Sequence, residues 1–203
     1  YQWERDGIFN ICKVSTKGGA AVQVTKHTRG GVRFPAISPD GKRMVYLSQR
    51  AGYFFDLWLA DANTGKPLKR LISAARDANF ESLRYMTSGA TFSPDGRFIA
   101  FAAQTGGRDA LYIYDLDEGR VVHKLKYELD GIESPTYSPD GQQIAFVGLN
   151  GGISDLYITD LKGNLTQLTD DRYADLTPAW SPDTKWMAYT SYRTGFPDII
   201  VVD

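Results

Sequence analysis

The tetrapeptide Ser-Pro-Asp-Gly occupies Ser38 to Gly41, returns at Ser93 to Gly96 and Ser138 to Gly141, and comes back as Ser-Pro-Asp-Thr at Ser181 to Thr184. Each residue type suits one position of a type I turn: Ser first, Pro with φ preset at about −65°, Asp third and Gly last. The four serines are 55, 45 and 43 residues apart, and self-similarity at such periods marks a repeat architecture. The chain is therefore predicted to be an array of one supersecondary unit.

Aligning the copies shows what the unit contains. After each turn comes an apolar strand: RMVYLS from Arg43, RFIAFAA from Arg97, QIAFVG from Gln143 and WMAYTS from Trp186. A short Gly-bearing bend leads to a second strand, DLWLAD from Asp56, ALYIYD from Ala110, DLYITD from Asp155 and DIIVVD from Asp198, so bend and strands form a hairpin. A further turn precedes a strand ending RLI at Arg70, KLK at Lys124 or QLT at Gln167, and one more strand (FPAI, GATF, SPTY, TPAW) lies ahead of each turn. Four short antiparallel strands in about 43 residues is the size of a β-propeller blade.

The predicted fold is all-β, a propeller segment of about four and a half blades in a partial ring. YQWERDGIFNICKVS aligns without a gap on YTSYRTGFPDIIVVD, placing Tyr1 under Tyr189, Arg5 under Arg193 and Asn10 under Asp198. The expected boundaries are a partial blade over 1–31, blades over about 32–74, 89–127 and 132–169, and a partial blade over 175–203. The first blade lacks its inner strand and the last its outer one, so the chain is expected to be a piece of a larger propeller of about six or seven blades. Open sheet edges invite self-association.

Composition supports one domain. With 42% apolar and 13% aromatic residues there is enough to bury a sizeable core, and a net charge of −1 gives no general attraction to nucleic acid or anionic lipid. No apolar run approaches the roughly 20 residues that span a bilayer, which predicts no direct membrane insertion. The first residues show neither a basic n-region nor an apolar h-region, so any signal peptide is expected to have been removed or to lie elsewhere. The single cysteine, Cys12, excludes an internal disulfide.

The order of Pro, two residues, Ser-Pro-Asp-Gly, an apolar strand ending in Phe or Tyr, a Gly bend, Asp-Leu-Tyr and a closing Leu-Thr resembles TolB-type propeller repeats over essentially the whole chain. SPTYSPDGQQIAFVGLNGGISDLYITDLKGNLTQLTDD, Ser134 to Asp171, is the clearest copy. Propellers of this family occur in periplasmic proteins that bind envelope lipoproteins, in multidomain bacterial surface proteins and at the N-termini of prolyl-oligopeptidase-like and tricorn-like peptidases. The resemblance implies a periplasmic or cell-surface location. It leaves two readings, a non-catalytic interaction scaffold and the substrate-gating propeller of a peptidase whose catalytic domain is not in this chain.

No residue pattern carries catalysis. Cys12 fills the slot of Trp58, Tyr112, Tyr157 and Ile200 and reads as core; His27 lies in a loop, His123 on a solvent-facing strand slot, and neither G-x-S-x-G nor H-E-x-x-H is present. The segment is predicted not to be an enzyme and to hold no cofactor or metal. Asp40, Asp95, Asp140 and Asp183 read as turn formers; Asp56, Asp155 and Asp198 read as structural, with Arg50 and Arg193 as candidate partners of Asp56 and Asp198. The clusters Asp115, Asp117, Glu118 and Asp170, Asp171, Asp175 match no calcium-loop spacing and read as solvated loop charge.

What remains is surface, and the expected partner is a protein or peptide. In a propeller, the linkers from one blade's outer strand to the next blade's inner strand gather on one face, and rigid scaffolds carry function on such loops. KHTRGGVR (Lys26 to Arg33) is basic, and the linker from Ser73 to Ser88 is longer than its equivalents. Aromatic and arginine residues are the types enriched in interface hot spots, which selects Arg29, Arg33, Arg76, Phe80, Arg84, Tyr85, Met86, Tyr127, Arg172 and Tyr173, centred on Arg76 to Met86.

Overall fold

In the computed structural model, which describes residues 1–74, 81–83 and 89–203, every Ser-Pro-Asp turn closes in one way. Ser38 N–H donates to the Arg43 carbonyl at 2.8 Å, the Ser38 hydroxyl donates to Asp40 Oδ1 at 2.6 Å and accepts from Arg43 N–H at 2.9 Å, and Asp40 Oδ1 also accepts from Lys42 N–H at 3.0 Å. The same hydroxyl-to-carboxylate bond recurs at Ser93, Ser138 and Ser181. The fourth residue takes a left-handed φ, 71° at Gly41, 71° at Gly96, 72° at Gly141 and 63° at Thr184, which explains glycine in three of the four copies.

The described residues form five antiparallel sheets. The first is β1 (Gln2–Arg5), β2 (Ile8–Lys13) and β3 (Val22–Gln23); the second is β4 (Val32–Ile37), β5 (Arg43–Ser48), β6 (Asp56–Asp61) and β7 (Pro67–Ile72). In the third, β8 (Ser82–Leu83) and β9 (Ala90–Phe92) both pair with β10 (Phe98–Thr105), which continues to β11 (Arg108–Asp115) and β12 (Arg120–Lys126). The fourth is β13 (Gly131–Tyr137), β14 (Gln143–Asn150), β15 (Ile153–Asp160) and β16 (Leu165–Gln167), and the fifth β17 (Asp175–Trp180), β18 (Met187–Ser191) and β19 (Asp198–Val202). Strand order follows chain order within the sheets, as expected of propeller blades.

Burial follows from stacking. The middle strands β5, β10 and β14 are buried almost throughout because neighbouring blades cover both faces, whereas the outer strands β7, β12 and β16 keep many side chains in water. The core is accordingly a series of layers between consecutive sheets, Ile11 with Met44 and Tyr46, Leu57 with Phe92 and Phe101, Ala102 with Ile132 and Phe146, Val147 with Met187 and Tyr189. Cys12 is buried there, as its slot implied. Trp180 bridges two blades, its indole N–H donating to the Thr136 carbonyl at 3.2 Å. On β19, Ile199 is 72% exposed.

The inner strands contain a feature that the repeats do not announce. The pairing register slips after Arg33, Glu133 and Leu176, where Phe34, Ser134 and Thr177, each followed by Pro, adopt φ of 51°, 50° and 52°. Proline has no N–H to give the ladder, so the strand bulges there. In the third sheet Gly89 stands at this point, and a Cβ on it would lie 2.6 Å from Phe34 Cβ.

Three expectations are corrected. Asp56 pairs with Arg70 at 3.4 Å, not with Arg50, whose guanidinium lies over the Trp58 ring at 5.0 Å. Arg193 pairs with Asp171 and not with Asp198, which accepts from the Thr194 hydroxyl. Asp115 and Asp175 are buried rather than solvated: Asp115 closes the turn between β11 and β12 and binds Arg97, and Asp175 lies on inner strand β17 opposite Ser191.

Candidate partner-binding face

Each inner strand runs from a linker to a Ser-Pro-Asp turn, so linkers and turns lie at opposite ends of the blades. The linkers share their end with the hairpins joining each second strand to the third, and backbone bonds tie the two together: Gln49 N–H to Gly31 O at 3.1 Å, Glu81 N–H to Gln104 O at 2.9 Å, Asp130 N–H to Leu149 O at 2.7 Å and Tyr192 N–H to Ala174 O at 3.1 Å.

A buried polar residue near the start of the third strand latches the linkers. Asn10 Oδ1 accepts from His27 N–H at 2.8 Å, Asp56 Oδ1 from Ala74 N–H at 3.0 Å, and Asp109 Oδ2 from Ile132 N–H at 2.9 Å. Asp155 accepts from the Thr169 hydroxyl at 3.2 Å; burial first, and then the charges of Asp175 and Asp170, raise its carboxyl above the ordinary range. Buried carboxylates and amides need partners, and the linkers supply them, through backbone N–H groups at the first three and through a hydroxyl at Asp155.

The basic linker gathers positive charge. Lys26 and Arg29 are exposed, and the Arg33 guanidinium sits between two rings, 5.3 Å from the Phe9 centroid and 5.9 Å from that of Phe55. Burial, reinforced by the Arg50 charge, holds His27 below its ordinary value. Arg29, Gly30, Gln49 and Tyr53 line a shallow cavity of about 330 Å³. Tyr53 is 95% exposed and Phe54 59%. These two escaped the sequence reading, although Tyr-Phe immediately before Phe55-Asp56 has no counterpart in the other bends; Phe196, 77% exposed, stands alone in the corresponding bend of the fifth sheet.

The remaining named residues divide. The Tyr127 ring stacks on Phe146 with centroids 5.6 Å apart, and its hydroxyl bonds Thr159 Oγ1 at 2.6 Å. Arg172 lies over the Tyr173 ring at 5.1 Å, donating to its hydroxyl at 2.9 Å, on the linker beside the Asp171 and Arg193 pair. Arg76, Phe80, Arg84, Tyr85 and Met86 lie outside the described residues. Within the same long linker, Glu81 accepts from Gly106 and Gly107 N–H at 2.8 and 3.1 Å, and Leu83 is buried in the core. Among the described residues no three His, Cys, Asp or Glu side chains are placed to hold a metal ion, and no helix is long and apolar enough to cross a membrane.

Comparison with known proteins agrees with this architecture. The structure is similar to that of TolB from Acinetobacter baumannii, with a TM-score of 0.80 and 25% identity over 96% of this chain and 46% of that one. The sequence is 27% identical over 170 residues to a protein TolB homolog of Chlorobium luteolum, covering 80% of this chain and 34% of the relative. It is also 25% identical over 194 residues to the uncharacterized peptidase YuxL of Bacillus subtilis, covering 93% of this chain and 26% of the relative. The chain thus spans about a third or less of the curated relatives. The family described as TolB beta propeller domain matches residues 90–203, more than half of the sequence, and the chain belongs to that family.

Proposed function

We propose that this chain is part of a non-catalytic protein-interaction scaffold of the bacterial envelope, periplasmic or on the cell surface, and that it binds a protein or peptide on its linker face. The observation that carries the reading is Tyr53, almost fully exposed beside Arg29 on a hairpin anchored through Gln49 to Gly31. A rigid aromatic next to a free guanidinium is the composition of a binding hot spot. Membership of the TolB propeller family supports the envelope setting. Photocrosslinking tests it: p-benzoylphenylalanine in place of Tyr53 yields a discrete adduct with an envelope protein in cells, while the same probe at Leu68, exposed on outer strand β7, does not. Equal adducts from both positions, or none from either, defeat the proposal. The exposed edge of β19 also favours self-association; a monomer at all concentrations in analytical ultracentrifugation argues against that part.

The likeness to a peptidase over 93% of this chain favours one second reading, an accessory propeller that orients substrate for a catalytic domain. A serine-reactive fluorophosphonate probe separates the two readings, since it labels the full-length protein only under the second.

A further inference from the structure

The turn end of the molecule, opposite the linker face, carries a crevice between the third and fourth sheets. Its volume is about 260 Å³, below the roughly 300 to 1,000 Å³ of sites that enclose whole small ligands, and so suited to one long side chain. Phe98 and Leu161 contribute apolar walls, and Asp95, Tyr137, Asp140 and Gly141 line the same space. Two polar groups there lack partners among the described residues. Tyr137 is 8% exposed, yet its hydroxyl bonds to nothing, and the Gly141 carbonyl receives no donor.

The equivalent crevice one blade earlier shows how such a carbonyl is satisfied. Arg43 of the second sheet reaches across to the third, and its Nη2 donates to the Gly96 carbonyl at 2.9 Å. Gly96 and Gly141 hold the same place in their turns, and the crevices are built alike: a Cβ on Gly96 would meet Pro39 Cδ at 3.6 Å, and one on Gly141 would meet Pro94 Cδ at 3.4 Å. Arg43 and Phe98 are also equivalent, each five residues after the turn serine. Where the second sheet sends a guanidinium to the next turn, the third sheet presents a ring and leaves the space open.

We propose that this crevice receives an arginine side chain from a partner polypeptide. The aliphatic stem lies on Phe98 and Leu161, and the guanidinium donates to the Gly141 carbonyl and the Tyr137 hydroxyl oxygen beside the carboxylates of Asp95 and Asp140. The carboxylates match the charge, the buried Tyr137 hydroxyl gains a partner, and the carbonyl of the half-buried Gly141 gains a donor. Arg97, 5.0 Å from the Phe98 ring centroid, does not oppose a second cation strongly, because Asp115, Asp117 and Glu118 neutralise it. Arginine rather than lysine is specified by the planar fork that reaches two acceptors at once.

The test is an NMR titration of the ¹⁵N-labelled chain with acetyl-Gly-Arg-Gly-amide and with its citrulline and lysine counterparts. The arginine peptide is expected to shift Gly141, Gln142 and His123 saturably in the millimolar range, and the citrulline peptide, which keeps the shape but not the charge, to bind at least about fivefold more weakly. Phe98→Arg supplies the guanidinium from within and abolishes the saturable shifts. Tyr137→Phe, which keeps the ring, weakens binding about threefold or more and serves as the second variant if Phe98→Arg does not fold. Equal binding of citrulline or lysine peptide, shifts that never saturate at Gly141, unchanged binding by Tyr137→Phe, or a folded Phe98→Arg protein that binds as wild type each overturns the assignment.

Discussion

The indole N–H of Trp180 donates to the backbone carbonyl of Thr136 at 3.2 Å, a bond that joins the inner strands of the fourth and fifth sheets. Trp180→Phe removes the donor and part of the ring and is expected to cost about 1 to 2 kcal/mol. Urea unfolding measures the total, and hydrogen exchange in β17 and β18 should rise before that in β10 and β11. Uniform acceleration across all sheets would show that the bond is not a local tie.

Thr184 holds the left-handed position that glycine occupies in the other three turns. A β-branched residue is strained there by about 1 to 2 kcal/mol, so Thr184→Gly is expected to stabilise the protein by about 1 kcal/mol once the greater freedom of unfolded glycine is subtracted. Gly141→Ala should do the reverse. Thermal melts of the two variants must move in opposite directions.

Gly65 is the most confined glycine of the turns. A Cβ there would lie 2.2 Å from the Val24 carbonyl oxygen in the neighbouring blade, and its φ is +70°. Gly65→Ala therefore strains the backbone and pushes the first two blades apart, at an expected cost of about 2 to 3 kcal/mol. Faster amide exchange at Ile11 and Val24 would accompany it, and a melting temperature equal to wild type would contradict the contact.

The Arg97 guanidinium donates to Asp115 at 2.6 Å and, joined by the backbone N–H groups of Glu118 and Asp117, lowers the carboxyl from 3.8 to about 2. A folded value below the unfolded one means that the stabilisation is complete above about pH 4 and is lost as pH falls through about 2. Asp40, Asp95, Asp140 and Asp183, each lowered first by its turn serine, act with the same sign. Urea midpoints at pH 2, 3, 4 and 6 should thus fall toward acid, and Arg97→Met should flatten that fall. Parallel profiles for the two proteins would refute the assignment.

On the linker face, Arg29, Tyr53 and Phe54 are exposed. Their joint replacement by Ala is expected to leave the melting temperature almost unchanged and to weaken partner binding by about 2 to 4 kcal/mol, the scale of a hot-spot cluster. Calorimetry with the partner captured at position 53 measures it; undiminished affinity moves the site elsewhere.

Turn chemistry and strand pattern were legible in the sequence because their causes are local. Ser38 needs only Asp40 and Arg43 to close its turn, and the alternation of such turns with apolar runs determined the strand order, the repeat and the buried slot of Cys12. Contacts between blades were not legible. Whether a guanidinium satisfies the Gly96 carbonyl, whether Trp180 reaches the Thr136 carbonyl, and how closely Gly65 approaches Val24 depend on the rotation and spacing of successive sheets, which no residue spacing encodes. The same holds for the surface: a Tyr-Phe pair in a bend is equally compatible with core and solvent until neighbouring blades have taken up the available burial, and here they leave Tyr53 outside.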